Sequence, residues 1–159
     1  MSIHFKDPQA IDVIHILVRA THSIQREFKT QFSSLDIPFQ ITGPRLRVLS
    51  TVSEVGKIRM NELAAKLGIQ ARTVTDLVDA LEKDNLLIRS PDPTDRRATR
   101  LQLTELAQAH LSEALSKQTE IAEKLVQGLT QEQRSQFLEL LLHLFNEKEL
   151  PSACEDDLN

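Results

Sequence analysis

The sequence predicts a mainly α-helical fold with one small β-hairpin. Over most of the 159 residues, apolar side chains recur at intervals of three and four, which is typical of amphipathic helices. The period changes to two only after residue 85, in two short segments that favour strands. Four glycines, no tryptophan and no tyrosine argue against a turn-rich β-sandwich. We therefore expect helices on both sides of the hairpin.

The N-terminal part of the chain predicts two helices. Between residues 11 and 35 the apolar positions form one face of an amphipathic helix, long enough to need a partner along its length. Pro38 and the pair Gly43-Pro44 interrupt this pattern. A second helix follows from Arg45, with Pro44 near its first turn, and ends around residues 55–56.

The next segment has the pattern of a helix-turn-helix. A short helix is predicted over residues 61–67, with Asn61 as its N-cap and Gly68 as the left-handed residue that ends it. A second helix runs from about residue 71 to residue 83. Its apolar face consists of Val74, Leu77, Val78 and Leu81. Two short helices joined by a tight glycine-containing turn are typical of this motif.

A hairpin follows the helix-turn-helix. Residues 86–90 and 99–103 predict two strands, joined by the basic, turn-forming loop 91–98. Thr104 can then cap a long helix that carries apolar residues as far as position 129.

The last helix predicts an association between two copies of the chain. Thr130 and Gln133 match a capping box that opens this helix. Residues 137–145 are apolar nearly all round, so they must be buried on more than one side. A second subunit is the simplest cover in so short a chain.

Charge is divided unevenly along the chain. The formal net charge is −4, which alone argues against binding to nucleic acid. Residues 1–42 are neutral, and residues 102–159 hold four basic and eleven acidic side chains. Residues 43–101 hold eleven basic and eight acidic side chains, a net charge of +3. The middle of the chain is thus the part suited to an anionic partner.

Several classes of protein are disfavoured. No run of 18 apolar residues is present, so we expect no membrane span. The first residues lack a signal segment, and the lone Cys154 cannot form an internal disulfide, which favours the cytoplasm. The five histidines show no metal-ligand spacing, and no nucleophile is paired with a base. We expect no catalytic site, no metal, no cofactor and no enzymatic activity, and Cys154 has no role that the sequence assigns.

Three short strings carry a family resemblance. Glu62-Leu63-Ala64 with Leu67-Gly68 forms the first, and Thr73-Val74-Thr75 with Leu77-Val78-Asp79 and Leu81-Glu82-Lys83 forms the second. The third, the most specific, is Asp92-Pro93-Thr94-Asp95-Arg96-Arg97, followed by Leu103-Thr104. With the order of elements, they resemble the MarR (multiple-antibiotic-resistance regulator) family of bacterial transcription factors over roughly residues 10–147.

The resemblance implies a winged helix-turn-helix with long N- and C-terminal dimerisation helices. The DNA-binding domain would span residues 41–104, and residues 1–40 with 105–150 would form the dimerisation region, followed by an acidic tail at 151–159. It also implies a homodimeric regulator, a repressor by expectation, that binds a pseudo-palindromic duplex. A small aromatic or anionic effector would bind between the dimer helices and the DNA-binding lobe, where His22 and Arg47 are candidate lining residues.

The second helix of the motif supplies candidate DNA contacts. With its apolar face inward, it presents a row of residues that we call the outward stripe: Arg72, Asp76, Asp79, Ala80 and Lys83. Arg72 can bind guanine O6 and N7, and Thr73 and Thr75 can meet a phosphate or a thymine methyl group. The alternative for Arg72 is an intrahelical ion pair with Asp76, worth a few tenths of a kcal/mol.

The loop of the hairpin supplies the other candidates. Arg96 and Arg97 can enter the minor groove or lie along phosphates, and the resemblance implies that Asp95 and Arg97 are the wing pair. A solvated turn without a partner is the alternative. Gln70 and Asp76 complete the candidate DNA-binding residues. Gln70 stands where the family usually has serine or a similar cap, and Asp76 and Ala80 stand where a basic residue is common.

The sequence is also compatible with a second function, that of a protein-interaction adaptor. Winged helices also serve as protein-interaction adaptors that do not bind DNA, and the candidate recognition helix carries the aspartates Asp76 and Asp79. The salt dependence of DNA binding distinguishes the two, because a regulator shows steep dependence and an adaptor shows none.

Overall fold

The computed structural model describes residues 7–145, which form two compact units. The first unit contains helix α1 (Ala10–Ser33), as predicted from its periodicity, and α1 buries none of its residues. The remaining elements belong to the second unit. Cys154 and the acidic tail lie outside the described residues.

The second unit is mostly helical with a three-stranded antiparallel sheet, which confirms the predicted class. The strands lie in the order β1-β3-β2. Its elements are α2 (Gly43–Val55), β1 (Ile58–Arg59), α3 (Met60–Leu67), α4 (Ala71–Lys83), β2 (Leu87–Pro91), β3 (Thr99–Leu103), α5 (Glu105–Val126) and α6 (Gln131–Leu144). Strand β1 was not predicted, because two residues are too few to show a period.

The turn around α3 is partly as expected. Gly68 has φ +68° and ends α3, as predicted. Asn61 is not the N-cap, and that prediction is wrong. The helix begins one residue earlier at Met60, with Arg59 as the cap, and the Glu62 carboxylate accepts the Arg59 backbone N–H at 3.0 Å. A glutamate three residues after the cap is the usual partner in a capping box.

The register of the hairpin separates its two faces. Leu87 pairs with Leu103, and Arg89 pairs with Leu101, so these four side chains point to one face of the sheet. The three leucines are buried on that face. Arg100, which pairs with Ser90, lies on the opposite face.

The core lies around α2, which packs against α3, α4, α5 and β3. Its fully buried large side chains are Leu46, Val48, Leu49, Val52, Ile58, Leu63, Val74, Leu81, Leu86, Leu87, Leu101 and Ile121. Buried Thr104 joins the hairpin to α5: its hydroxyl accepts the Ala107 N–H at 3.1 Å and donates to the Asn85 carbonyl at 2.7 Å. Asn85 has φ +58°, a left-handed conformation that asparagine tolerates.

Helix α6 is attached to α5 by polar contacts and exposes apolar side chains. The predicted capping box is present, with Thr130 and Gln133 hydrogen-bonded to each other's backbone N–H. Arg134 donates to Glu123 of α5 at 3.0 Å. No residue of α6 is buried, and Phe137 and Leu140 are 50% and 67% exposed. The division into a DNA-binding domain and a dimerisation region stays a prediction.

Candidate nucleic-acid interface

Helix α4 is strongly two-sided. The four predicted apolar residues are buried, whereas the outward stripe is exposed except for Ala80, which is half-buried. Gln70 is the N-cap residue and is exposed, but its side chain makes no capping hydrogen bond. The first-turn N–H groups of α4 therefore receive no side-chain cap from Gln70.

The N-terminal half of α4 leaves its polar side chains available. Within residues 7–145, Arg72 and Asp76 form no ion pair, so the alternative pairing within the helix is not seen. The exposed Thr75 donates its hydroxyl hydrogen to the Ala71 carbonyl at 2.9 Å, and the hydroxyl oxygen keeps the capacity to accept a hydrogen bond. Thr73 is half-buried beside it.

The C-terminal half of α4 is tied to the hairpin by an arginine. Arg89 of β2 is hydrogen-bonded to the Asp79 carboxylate, and its other terminal nitrogen lies 3.5 Å from Glu82. Asp79 belongs to the outward stripe. This contact therefore places a positive charge from the sheet beside Asp79 of the stripe and beside the neighbouring Glu82.

The base of the wing (residues 87–103) is organised by Asp92. Its side chain is fully buried, and its Oδ2 accepts from Arg59 Nε at 2.7 Å and from Arg100 Nε at 2.8 Å. Its Oδ1 accepts from the backbone N–H and the hydroxyl of Thr94, at 2.8 and 2.7 Å. One carboxylate thus joins β1, β3 and the loop between β2 and β3.

These donors act on the ionisation of Asp92. The hydrogen bond from Arg59 comes first and those from Thr94 next, and together they hold the pKa of the Asp92 carboxyl far below its ordinary value, although burial opposes them. Hydrogen bonds to the charged form favour that form. Asp92 therefore remains a carboxylate at any physiological pH.

The tip of the wing is held through its backbone. The Asp95 carboxylate accepts the Arg97 N–H at 3.0 Å, and the Ala98 N–H donates to the Asp95 carbonyl at 3.0 Å. Asp95 therefore holds the loop through backbone groups, and among residues 7–145 it forms no ion pair with a guanidinium group. Arg96 and Arg97 are exposed, and in the described part of the chain neither guanidinium has a hydrogen bond or an ion pair.

The two candidate effector residues lie in different units. His22 is exposed on α1, next to Arg19 and Arg26 along a shallow depression of that helix. Arg47 is exposed on α2, and its Nη2 donates to the Leu67 carbonyl at 3.4 Å. Their association in one binding site stays a prediction.

Three functional features escaped the sequence analysis: the Asp92 cluster, Arg59 and the Arg89–Asp79 contact. A signal existed for the first, since an aspartate followed two residues later by threonine is typical of an Asx turn. The contact of Arg59 with Asp92 joins residues 33 positions apart in the chain, and that of Arg89 with Asp79 joins residues 10 positions apart. No local pattern indicates them.

Residues 7–145 contain neither a candidate membrane span nor a candidate metal site. In the stretch from residue 7 to residue 145, no helix is long and apolar enough to cross a membrane. No group of three or more histidine, cysteine, aspartate or glutamate side chains in that stretch could hold a metal ion.

Comparison with known proteins identifies the fold family. The model of the MarR family matches residues 41–99, which contain α2 to the wing tip. YsmB of Bacillus subtilis, an uncharacterized HTH-type transcriptional regulator, is 30% identical over 109 residues, which cover 69% of this chain and 75% of YsmB. The chain belongs to the MarR family of transcriptional regulators.

Two further proteins extend the comparison. The repressor MdtR of B. subtilis is 29% identical over 96 residues, 60% of this chain and 62% of MdtR. The structure of Bordetella bronchiseptica BpsR, whose DNA binding is regulated by 6-hydroxynicotinic acid, has a TM-score of 0.69 and 25% identity. It covers 91% of this chain and 97% of BpsR. The winged helix-turn-helix predicted from the sequence is confirmed, and these relatives are regulators, not enzymes.

Proposed function

We propose that this MarR-family chain is a homodimeric repressor that binds a pseudo-palindromic DNA duplex and is released by a small effector. The observation that carries the proposal is the exposed face of α4, accompanied by two exposed wing arginines whose guanidinium groups have no partner in the described part of the chain. Such a regulator works on chromosomal DNA, which favours the cytoplasm as its location.

The chemistry of this surface suits duplex DNA. Arg72 lies in the first turn of α4, the part of a recognition helix that reaches base edges in the major groove. Its guanidinium can make two hydrogen bonds to a guanine, which specifies a base. Arg96 and Arg97 are suited to the minor groove or to phosphates, which position the protein without reading sequence.

The exposed apolar side chains of α6 support the proposed homodimer. Exposed large apolar residues there are Phe137, Leu138, Leu140, Leu142 and Leu144. A contiguous apolar surface on one helix marks an interaction site. A twofold dimer would present two recognition helices to half-sites about one helical turn, 34 Å, apart.

Release by an effector is supported by the relatives. BpsR is regulated by an aromatic anion, 6-hydroxynicotinic acid, and MdtR is a repressor. For this chain we propose an effector of the same chemistry, a small aromatic or anionic compound. His22 and Arg47 are the candidate residues for its polar groups.

The experiment is selection of binding sites from genomic DNA with purified protein, followed by fluorescence anisotropy on the selected duplex at several salt concentrations. We expect a palindromic site and an affinity that falls by about 10³-fold or more between 50 and 200 mM salt. The double variant Arg96→Ala/Arg97→Ala tests the wing arginines and should bind the duplex more weakly, with a smaller dependence of affinity on salt. No selected site and no salt-dependent binding would favour the protein-interaction adaptor. The feature that supports the adaptor is Asp76, which is exposed and has no partner among residues 7–145.

A further inference from the structure

Arg89 occupies an unusual place between the sheet and the recognition helix. It lies on β2 opposite Leu101, on the face of the hairpin that points to the core. Its side chain reaches α4, where one terminal nitrogen donates a hydrogen bond to the Asp79 carboxylate. The other terminal nitrogen lies 3.5 Å from the Glu82 carboxylate. Its guanidinium is therefore committed to two carboxylates of the recognition helix.

The ion pairs of Arg89 matter because the outer side of α4 carries more acidic than basic side chains. The outer side of α4 carries two basic residues, Arg72 and Lys83, against three acidic ones, Asp76, Asp79 and Glu82. A recognition helix with excess negative charge is repelled by the phosphates on both sides of the groove. Asp79 and Glu82 lie one helical turn apart, so a single cation can offset both.

We propose that Arg89 is a positioning residue for DNA binding, which acts by neutralising Asp79 and Glu82 and not by touching DNA. This inference rests on the proposed function. Arg89 holds the two carboxylates away from the phosphates and lets the C-terminal half of α4 approach the groove. Its place on a paired strand fixes the guanidinium before DNA arrives.

Asp76 provides an internal contrast. It belongs to the same stripe, is exposed, and in the described part of the chain has no hydrogen bond or ion pair. A charge change at Asp76 should therefore alter DNA affinity independently of Arg89. The effect of the same change at Asp79 on DNA affinity should instead depend on whether Arg89 is present.

The test is a double-mutant cycle measured by fluorescence anisotropy on a random-sequence duplex of about 30 base pairs, long enough for two half-sites. Arg89→Gln should weaken binding roughly tenfold at 0.1 M salt, with a smaller effect at higher salt as screening increases. Adding Asp79→Asn should restore most of the loss, so the two changes are strongly non-additive. Arg89→Lys keeps the charge and should retain most of the affinity.

Asp76→Asn is the matched control: it should strengthen binding by the same factor with Arg89 or with Gln at position 89. Thermal melting of every variant monitors the fold. The proposal is overturned if Arg89→Gln costs the same factor with and without Asp79→Asn, because Arg89 would then contact DNA directly. An unchanged affinity of Arg89→Gln also overturns it. Absence of binding by the wild-type protein contradicts the proposed function instead.

Discussion

The aspartates of the second unit show how position decides what a carboxylate does. Asp92 is buried and accepts hydrogen bonds from two guanidinium groups. Asp95 accepts a hydrogen bond from a backbone N–H in the wing tip. Asp79 is offset by Arg89, whereas Asp76 is exposed without a partner in the described chain. The same residue type thus forms a structural junction, a turn, a masked charge and a free charge within 20 residues.

The Asp92 cluster predicts a loss of stability on substitution. Asp92→Ala leaves Arg59 and Arg100 without their acceptor, so we expect the melting temperature to fall by about 3–8 °C. DNA binding should weaken as well, because the wing loses the bond between its loop and its strands. Circular dichroism and anisotropy measure the two effects, and Asp36→Ala, at an exposed position, is the control.

The pH dependence of this effect has a definite sign. Because folding lowers the pKa of Asp92, its stabilisation is fully present above the unfolded value of about 3.9 and is lost as pH falls below it. The difference in melting temperature between wild type and Asp92→Ala should stay constant from about pH 5 to 8 and shrink near pH 3. A difference that grows on acidification is incompatible with this account.

Arg97 tests the contribution of the wing tip. Its guanidinium is exposed and bonds no described residue, so Arg97→Ala should weaken binding to the selected site by about 1–3 kcal/mol without lowering the melting temperature. Arg97→Lys separates charge from shape, since lysine cannot make a bidentate contact. If both variants bind like wild type at physiological salt, Arg97 lies outside the interface.

At the scale of elements, periodicity carried the prediction where elements are long enough. Helix α4 and both hairpin strands agree with the sequence to within about one residue, because their buried faces repeat at 3.6 or 2. Strand β1 has only two residues, and its pairing with β3 depends on a partner about 40 positions away. The N-cap of α3 was misplaced because Asn61 has the stronger intrinsic preference, whereas Glu62 selects Arg59.

Thr104 is the element junction that the sequence did locate. Its buried hydroxyl both caps α5 and donates to the Asn85 carbonyl, so Thr104→Ala should lower the free energy of unfolding by about 1–2 kcal/mol. Urea denaturation measures it. Thr104→Ser keeps the hydroxyl and should recover at least half of the loss, and equal losses in both variants would assign the effect to the methyl group.

At the scale of the whole molecule, the sequence predicts which segment carries the candidate interface, but not the side-chain contacts within it. The positive middle segment, residues 43–101, contains α4 and the wing, so the charge distribution predicts an anionic partner for the same part of the chain as the candidate interface. The contacts of Arg59 and Arg89 depend on how strands and helices meet in three dimensions. They could not be predicted from spacing along the chain.

Assembly is the largest prediction at this scale. Helix α6 has no buried residue, and Leu140 is 67% exposed, so a second copy should cover this face in solution. Leu140→Glu places a charge in that contact and should raise the dimer dissociation constant by about tenfold or more. Sedimentation equilibrium over a range of concentrations measures the change.

Gln136→Glu adds the same charge at an exposed polar position of α6 and is the matched control. DNA affinity should fall with the dimer, because one subunit contacts one half-site. A well-folded wild-type monomer at micromolar concentration contradicts the homodimer, and an undisturbed Leu140→Glu dimer places the interface elsewhere.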